Sequence, residues 1–401
     1  MNLQTACATA QRKPPFFLYY SLGVRGFHPG RPALKMELRE MGGVMNGHFE
    51  KAHSDSGLVR YFPKIVYVLS GGTPKAFCHL GMIEALENRG IVPDLIVGTS
   101  AGSLAGALYS HFANIRDVYR RIEYVLASEE FEMFERKYFG ESRPLEGHVQ
   151  RGVRHFFSLI SETLTSKPRL GMSFAASAMI AEKDVLSLFE KIFEGITFDT
   201  LKIPFAAVAV DLTDGVPFIF AAEKVRSEQC ASVTAPGADG LMKAVMASSA
   251  IPLLFPTVQL CGHMFVDGGV MTNLPVREAR GLLPGQEVLL AGFDASSPLS
   301  QFDEEISSVE SALGLLDPAA RSTQSGDSEL ADILFQPAHE GYPRSSFTEY
   351  KKYIDLGRAY MTRDRLSAFE RVYREKCASM VRNDKNAVRR FFATAKLRQQ
   401  A

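Results

Sequence analysis

The chain has no excess charge of either sign: 45 Lys and Arg balance 45 Asp and Glu over 401 residues. No global field draws it to nucleic acid, and no nucleic-acid partner is expected. Long apolar runs are missing as well. No stretch approaches the roughly 18 consecutive apolar residues of a membrane-spanning helix, and Phe16-Phe17-Leu18-Tyr19-Tyr20 is too short for the core of a secretory signal. A soluble or peripheral protein is expected. Cysteine is scarce and scattered: Cys7, Cys78, Cys230, Cys261 and Cys377 have no zinc-type spacing and are odd in number. That pattern suits a reducing compartment and points to the cytoplasm. The G-x-G-x-x-G and Walker patterns are absent too, so the glycine-rich turns described below are not nucleotide cradles. No cofactor and no metal are expected.

What is present is material for a large core, with 46% hydrophobic residues. The expected organisation is an N-terminal extension over 1–60, without clear periodicity and with Met36 and Met45 as alternative starts, followed by one catalytic domain over 61–300. A helical, cap-like insertion occupies about 110–195. Residues 301–361 complete the domain, and 362–401 form a basic amphipathic helix.

The most informative stretch is Gly98-Thr99-Ser100-Ala101-Gly102. It follows the apolar run Leu95-Ile96-Val97 and precedes the helix-forming Ser103-Leu104-Ala105-Gly106-Ala107-Leu108. Strand, G-x-S-x-G and helix in that order make a nucleophile elbow: the sharp turn crowds the backbone, demands very small neighbours and projects the serine hydroxyl beyond the sheet. The helix N-terminus behind it favours the negative charge of acyl transfer.

A second unit of the same kind lies upstream. Ile65-Val66-Tyr67-Val68-Leu69 reads as a buried strand ending in Ser70-Gly71-Gly72-Thr73-Pro74-Lys75, and Phe77, Leu80, Ile83 and Leu86 then recur at helical spacing until Gly90. Two successive units imply parallel strands with both loops at one sheet edge, where the first loop offers backbone N–H groups to a carbonyl held at Ser100. A third element, Asp267-Gly268-Gly269, follows the short strand His263-Met264-Phe265 and is flanked by Ala247-Ser248-Ser249-Ala250-Ile251-Pro252 and Asn273-Leu274-Pro275. An aspartate opening a glycine turn is by default a residue that caps its own backbone.

In order and spacing these three elements resemble the patatin-like phospholipase family, over about residues 64–300 and more weakly to about 360. The resemblance implies an α/β three-layer fold with a mostly parallel central sheet, and acyl-ester hydrolysis of phospholipids or related lipids. It implies a dyad of Ser100 as nucleophile and Asp267 as base, with the amides of Gly71, Gly72 and Thr73 as oxyanion hole. Gly98, Gly102, Gly268 and Gly269 are its motif glycines, and Lys75 is its basic residue, positioned for a substrate phosphate. The chain departs from the family where Thr73, Pro74, Lys75 and Ala76 replace a third glycine, a small residue, a basic residue and a glycine. Pro74 has no N–H, so the hole has fewer or differently aimed amides.

Two other readings stay open. His339, in the polar run Pro337-Ala338-His339-Glu340-Gly341, follows Asp267 in the Ser, Asp, His order of an ordinary α/β-hydrolase triad. A non-catalytic lipid-binding relative, disabled at the first loop, is the third. His79 reads as a packed helix residue. The aromatics Phe131, Phe134, Tyr138, Phe139, Phe156, Phe157 and Phe174 read either as core packing or as an apolar lining over Ser100. From 362 to 401, eleven Lys or Arg stand against four Asp or Glu, a balance of +7. There Leu366, Phe369, Tyr373, Cys377, Met380, Val388, Phe391 and Ala395 fall on one helical stripe, broken at Asp384. The stripe suits either docking on the domain or peripheral contact with an anionic membrane. Oligomeric state is left open.

Overall fold

The run Ile65-Val66-Tyr67-Val68-Leu69 is buried on both faces because its residues alternate between two cores: Ile65, Tyr67 and Leu69 belong to the larger, Val66 and Val68 to the smaller. A continuously apolar strand is the signature of a sheet covered on both sides. The computed structural model describes residues 63–138, 178–222, 225, 232–233, 235, 237–252, 254–295, 328–339 and 349–383. Among them the strands are β1 (Lys64–Leu69), β2 (Leu95–Thr99), β3 (Phe205–Asp211), β4 (Val216–Ala221), β5 (Ser232–Val233), β6 (Val258–Leu260), β7 (His263–Asp267), β8 (Val288–Phe293) and β9 (Ile333–Phe335). They form one sheet in the order β5-β4-β3-β2-β1-β8-β9, with β7 also paired to β3 and β6 to β7. The steps from β3 through β2, β1 and β8 to β9 are parallel, whereas β4 and β7 run antiparallel to β3.

Helices cover both faces. The larger core takes residues from α1 (Phe77–Glu87), α2 (Ala101–Phe112), α3 (Ile115–Leu126), α4 (Glu129–Tyr138), α5 (Glu182–Ile192), α6 (Gly240–Ser248), α8 (Tyr350–Tyr360) and α9 (Arg363–Asn383), while α7 (Val276–Gly281) packs on the smaller. The architecture is therefore an α/β three-layer fold with a mostly parallel central sheet. Helix α8 lies backbone to backbone on α1: a Cβ on Gly81 would sit 2.0 Å from the Ile354 carbonyl oxygen, and one on Gly357 2.0 Å from that of Cys78.

One register places the rest. Thr99, the last residue of β2, is opposite Val208 of β3. Asp267, the last residue of β7, is opposite Ala209, the next residue of that strand. Strands β2 and β7 thus run toward each other along one edge of β3 and meet tip to tip.

In the insertion, Phe131 and Phe134 are buried, as the core reading expects, and the Tyr138 hydroxyl ties the segment's two ends by donating to Asp184 Oδ2 and accepting from Ala181 N. Phe139, Phe156, Phe157 and Phe174 lie outside the described residues, as does the extension over 1–60. The C-terminal stripe docks where it is described: Leu366, Phe369 and Tyr373 are buried in the larger core, and Arg89–Glu370 and Lys376–Asp332 ion pairs flank them. Asp384, Val388, Phe391 and Ala395 lie outside the described residues. The cysteine expectation needs correction. Cys261 is disulfide-bonded, so the scattered spacing concealed a pair and does not mark a reducing compartment. No described helix is long and apolar enough to cross a membrane.

Candidate active site

Ser100 sits between β2 and α2 with φ 53° and ψ −129°, a conformation that few non-glycine residues hold. Such a backbone costs on the order of 1–3 kcal/mol and persists only where its surroundings over-determine it. Here they do. The Ser100 carbonyl accepts from Ser103 N and Leu104 N at 2.9 and 3.2 Å, and its N–H donates to Ser248 Oγ at 3.0 Å. The flanking glycines are obligatory for steric reasons: a Cβ on Gly98 would lie 2.6 Å from the Gly102 carbonyl oxygen, and one on Gly102 2.4 Å from that of Ser70.

The tip-to-tip meeting of β2 and β7 brings Ser100 to Asp267. Both are buried, and Ser100 Oγ donates to Asp267 Oδ2 at 2.6 Å. The other carboxylate oxygen accepts from Gly269 N at 2.7 Å, the turn capping expected of an Asp-Gly-Gly sequence. Gly268 is required by close approach, since its Cβ would fall 2.3 Å from the Val208 carbonyl oxygen. Burial in this dry site raises the Asp267 carboxyl from 3.8 to about 7, against the opposing pull of the hydrogen bonds from Ser100 and Gly269. A base poised there is matched to neutral pH.

The segment Ala247 to Pro252 clamps both partners, a role the sequence did not disclose. Ser248 Oγ takes the Ser100 N–H and donates to the Val208 carbonyl at 2.6 Å, while the Ala250 carbonyl accepts from Asp267 N at 2.9 Å.

The first loop runs alongside. Gly71 has no room for a side chain, because a Cβ there would be 3.0 Å from Ser100 Cβ and 2.7 Å from Asn273 Oδ1. Its N–H donates to the Asn273 carbonyl at 3.2 Å. The N–H group of Gly72 makes no hydrogen bond among the described residues. Gly72 turns with φ 154°, after which Thr73–Ala76 wind a 3-10 turn into α1.

These elements decide the family. The sequence model for patatin-like phospholipases matches residues 67–280. The chain belongs to the patatin-like phospholipase family. Patatin-like phospholipase domain-containing protein 6 of Mus musculus is 26% identical over 314 residues, covering 74% of this chain and 19% of that protein. Lysophospholipase NTE1 of Kluyveromyces lactis is 21% identical over 316 residues, 73% of this chain and 18% of that protein. The chain thus spans about a fifth of the length of the curated relatives it matches. Among solved structures, human GIVD cytosolic phospholipase A2 aligns with a TM-score of 0.46 and 11% identity, over 87% of this chain and 65% of that one. VipD from Legionella pneumophila aligns with a TM-score of 0.38 and 15% identity, over 77% of this chain and 67% of that one.

In this patatin-like chain His339 is not joined to Ser100 or Asp267. Among the described residues neither of its ring nitrogens has a hydrogen-bond partner, and it is buried against Tyr353, beyond the end of β9 and three strands from β2. Burial, reinforced by the Lys75 charge, lowers its pKa to about 4. His79 is the packed residue expected, wholly buried with its ring edge on Phe293 and its pKa pushed down to about 3 by burial and then by His339. Lys75 is half-buried, and its charge is felt at His339 and Cys78.

Among the described residues, one group has metal-type ligands close together: Asp211, Asp214 and His263, within 4.8 Å of one another. Asp211 is already satisfied, accepting from Thr213 N at 2.7 Å and pairing with His263 Nδ1 at 2.6 Å. That arrangement is an internal pair tying the ends of β3 and β7.

Proposed function

We propose that this patatin-like chain is a serine acyl hydrolase that cleaves fatty-acyl esters of phospholipids or lysophospholipids with a Ser100–Asp267 dyad. The observation that carries the reading is the direct 2.6 Å hydrogen bond from Ser100 Oγ to a buried carboxylate raised to about 7. With the hydroxyl already on the carboxylate, no intervening imidazole is needed, and His339 has no place in the relay.

As Ser100 Oγ attacks the ester carbon, its proton passes to Asp267 Oδ2 and the carbonyl electron pair moves onto oxygen. The oxyanion is received by the N–H groups of Gly72 and Thr73, with the N-terminus of α2 adding its positive end. Collapse expels the lysophospholipid or glycerophosphodiester alkoxide, which takes the proton from Asp267. Water then repeats the cycle on the acyl-enzyme, Asp267 accepting its proton, and the fatty acid leaves. Lys75, at the first turn leading into α1, is the charge we assign to the substrate phosphate. Substrate of this class lies in a membrane or micelle. With the apolar stripe of α9 docked, the exposed Arg363 and Arg371 are groups on that helix available to an anionic surface. The phospholipase and lysophospholipase names of the curated relatives support the substrate class.

The test is fatty-acid release from phospholipid and lysophospholipid micelles by the wild type and by Ser100→Ala. Turnover that falls below about one per cent in the variant, on the scale of a lost nucleophile, supports the assignment. An inactive wild type would favour the lipid-binding reading that Pro74 raises.

A further inference from the structure

The oxyanion loop is short of donors. Pro74 has no N–H, and that of Gly71 is spent on the Asn273 carbonyl. The residue that takes it offers a replacement. Asn273 lies in the turn after the base, held to both catalytic loops: its carbonyl receives Gly71 N, and the preceding Thr272 carbonyl accepts from Thr99 Oγ1 at 3.1 Å. Two independent measurements locate its side chain. The position of a Cβ on Gly71 is 2.7 Å from Asn273 Oδ1 and 3.7 Å from Ser100 Oγ. That of a Cβ on Gly269 is 3.4 Å from Asn273 Oδ1 and 3.0 Å from Asp267 Oδ1. Asn273 Oδ1 therefore shares the surroundings of Gly71 with Ser100 Oγ and those of Gly269 with Asp267 Oδ1, and a half-turn of the amide puts Nδ2 in its place. It makes no hydrogen bond among the described residues, although an amide brings two donors and an acceptor.

We infer that Asn273 is a further catalytic residue, whose side-chain N–H completes the oxyanion hole in place of the amides the loop lacks. The inference rests on Ser100 being the nucleophile. As Ser100 Oγ bonds to the acyl carbon and the carbonyl π pair shifts to oxygen, the Asn273 amide donates to that oxygen beside Gly72 and Thr73. The two backbone tethers fix its main chain beside the nucleophile, and the carboxamide turns about its last side-chain torsion to present Nδ2 to the oxyanion.

The experiment uses the full chain, a p-nitrophenyl ester and an alkyl trifluoromethyl ketone, which adds to a nucleophilic serine to give a tetrahedral oxyanion. Asn273→Ala and the uncharged, similarly shaped Asn273→Leu are compared with wild type, the second deciding if the first fails to fold. The expected result is a fall in kcat of about 10²–10³-fold, the cost of one lost oxyanion donor. KM should stay within about threefold, ketone affinity should weaken in step with kcat, and the acid limb near pH 7 should not move. A folded Leu variant with kcat within tenfold of wild type overturns the inference. So does a fall in kcat with unchanged ketone affinity, or a displaced acid limb, since either would mean that Asn273 acts through Asp267. Substantial turnover by Ser100→Ala would instead bring down the underlying dyad, so the two failures are distinguishable.

Discussion

The Ser248 hydroxyl holds the backbone N–H of Ser100, at 3.0 Å, against the Val208 carbonyl, to which it donates at 2.6 Å. One turn of chain thereby fixes the strained nucleophile to the central strand, and two residues later Ala250 fixes Asp267. Removing the hydroxyl leaves a buried N–H and a buried C=O without a partner. Ser248→Ala is expected to cost about 1–3 kcal/mol of stability. It should also lower kcat by about an order of magnitude or more while KM changes little. Denaturant unfolding and steady-state kinetics on a soluble ester check both.

The carboxyl of Asp267 dictates the pH profile. Below its raised value of about 7 it is protonated and cannot take the Ser100 proton, so kcat/KM should fall about tenfold per unit on the acid side and level off above. The stability effect has the opposite sign. Between 3.8, the ordinary value, and about 7 the native carboxyl keeps a proton that the unfolded chain has lost, so this group makes folding less favourable as pH rises across that window. Asp267→Asn should therefore be inactive and yet melt at or above the wild-type temperature at pH 8.

Buried neutral histidines predict an acid-sensitive fold. His79 and His339 are held to about 3 and about 4, below the usual 6.5, so the unfolded chain binds protons that the native state refuses. Their contribution is complete above pH 6.5 and is lost as pH falls below it. Thermal melts should drop steeply under pH 6, and His79→Leu should flatten that limb. His339→Ala should leave kcat within tenfold of wild type at pH 8; a loss of several orders of magnitude would restore the triad.

Gly102 has no tolerance for a methyl group. Its Cβ would press on the carbonyl oxygens of Ser70 and Leu69 at 2.4 and 2.6 Å, main-chain atoms where β1 ends and the loop facing the nucleophile begins. Gly102→Ala is expected to destabilise at or beyond the upper end of the 1–3 kcal/mol range for overpacking. Soluble yield and the denaturant midpoint report it.

Local chemistry was legible in the sequence where a single segment carries it. The elbow around Ser100, the parallel β1 and β2, and the burial of His79 follow from neighbours within a few residues. Asp267 was another matter. By itself Asp-Gly-Gly is a turn, and its cap on Gly269 shows that it is one; only the family resemblance singled it out as a base. What joins it to Ser100 is the non-local register in which β2 and β7 share one edge of β3, which no periodicity encodes. For the same reason Ser248 and Asn273 were visible as motif letters without a role. The stripe on α9 was readable as amphipathic, but its partner, the larger core at Leu366, Phe369 and Tyr373, was not. Scattered cysteines were misleading, because pairing at Cys261 depends on proximity in space.

The central claim is that Ser100 is a nucleophile activated by Asp267 alone. Its most direct measurement is mass spectrometry of the protein after brief exposure to a fluorophosphonate at pH 8, with the modified peptide sequenced. The account predicts one adduct, on Ser100, formed in the wild type and in His339→Ala but lost in Asp267→Asn. Absence of an adduct in the wild type, labelling at another residue, or undiminished labelling in Asp267→Asn would contradict it.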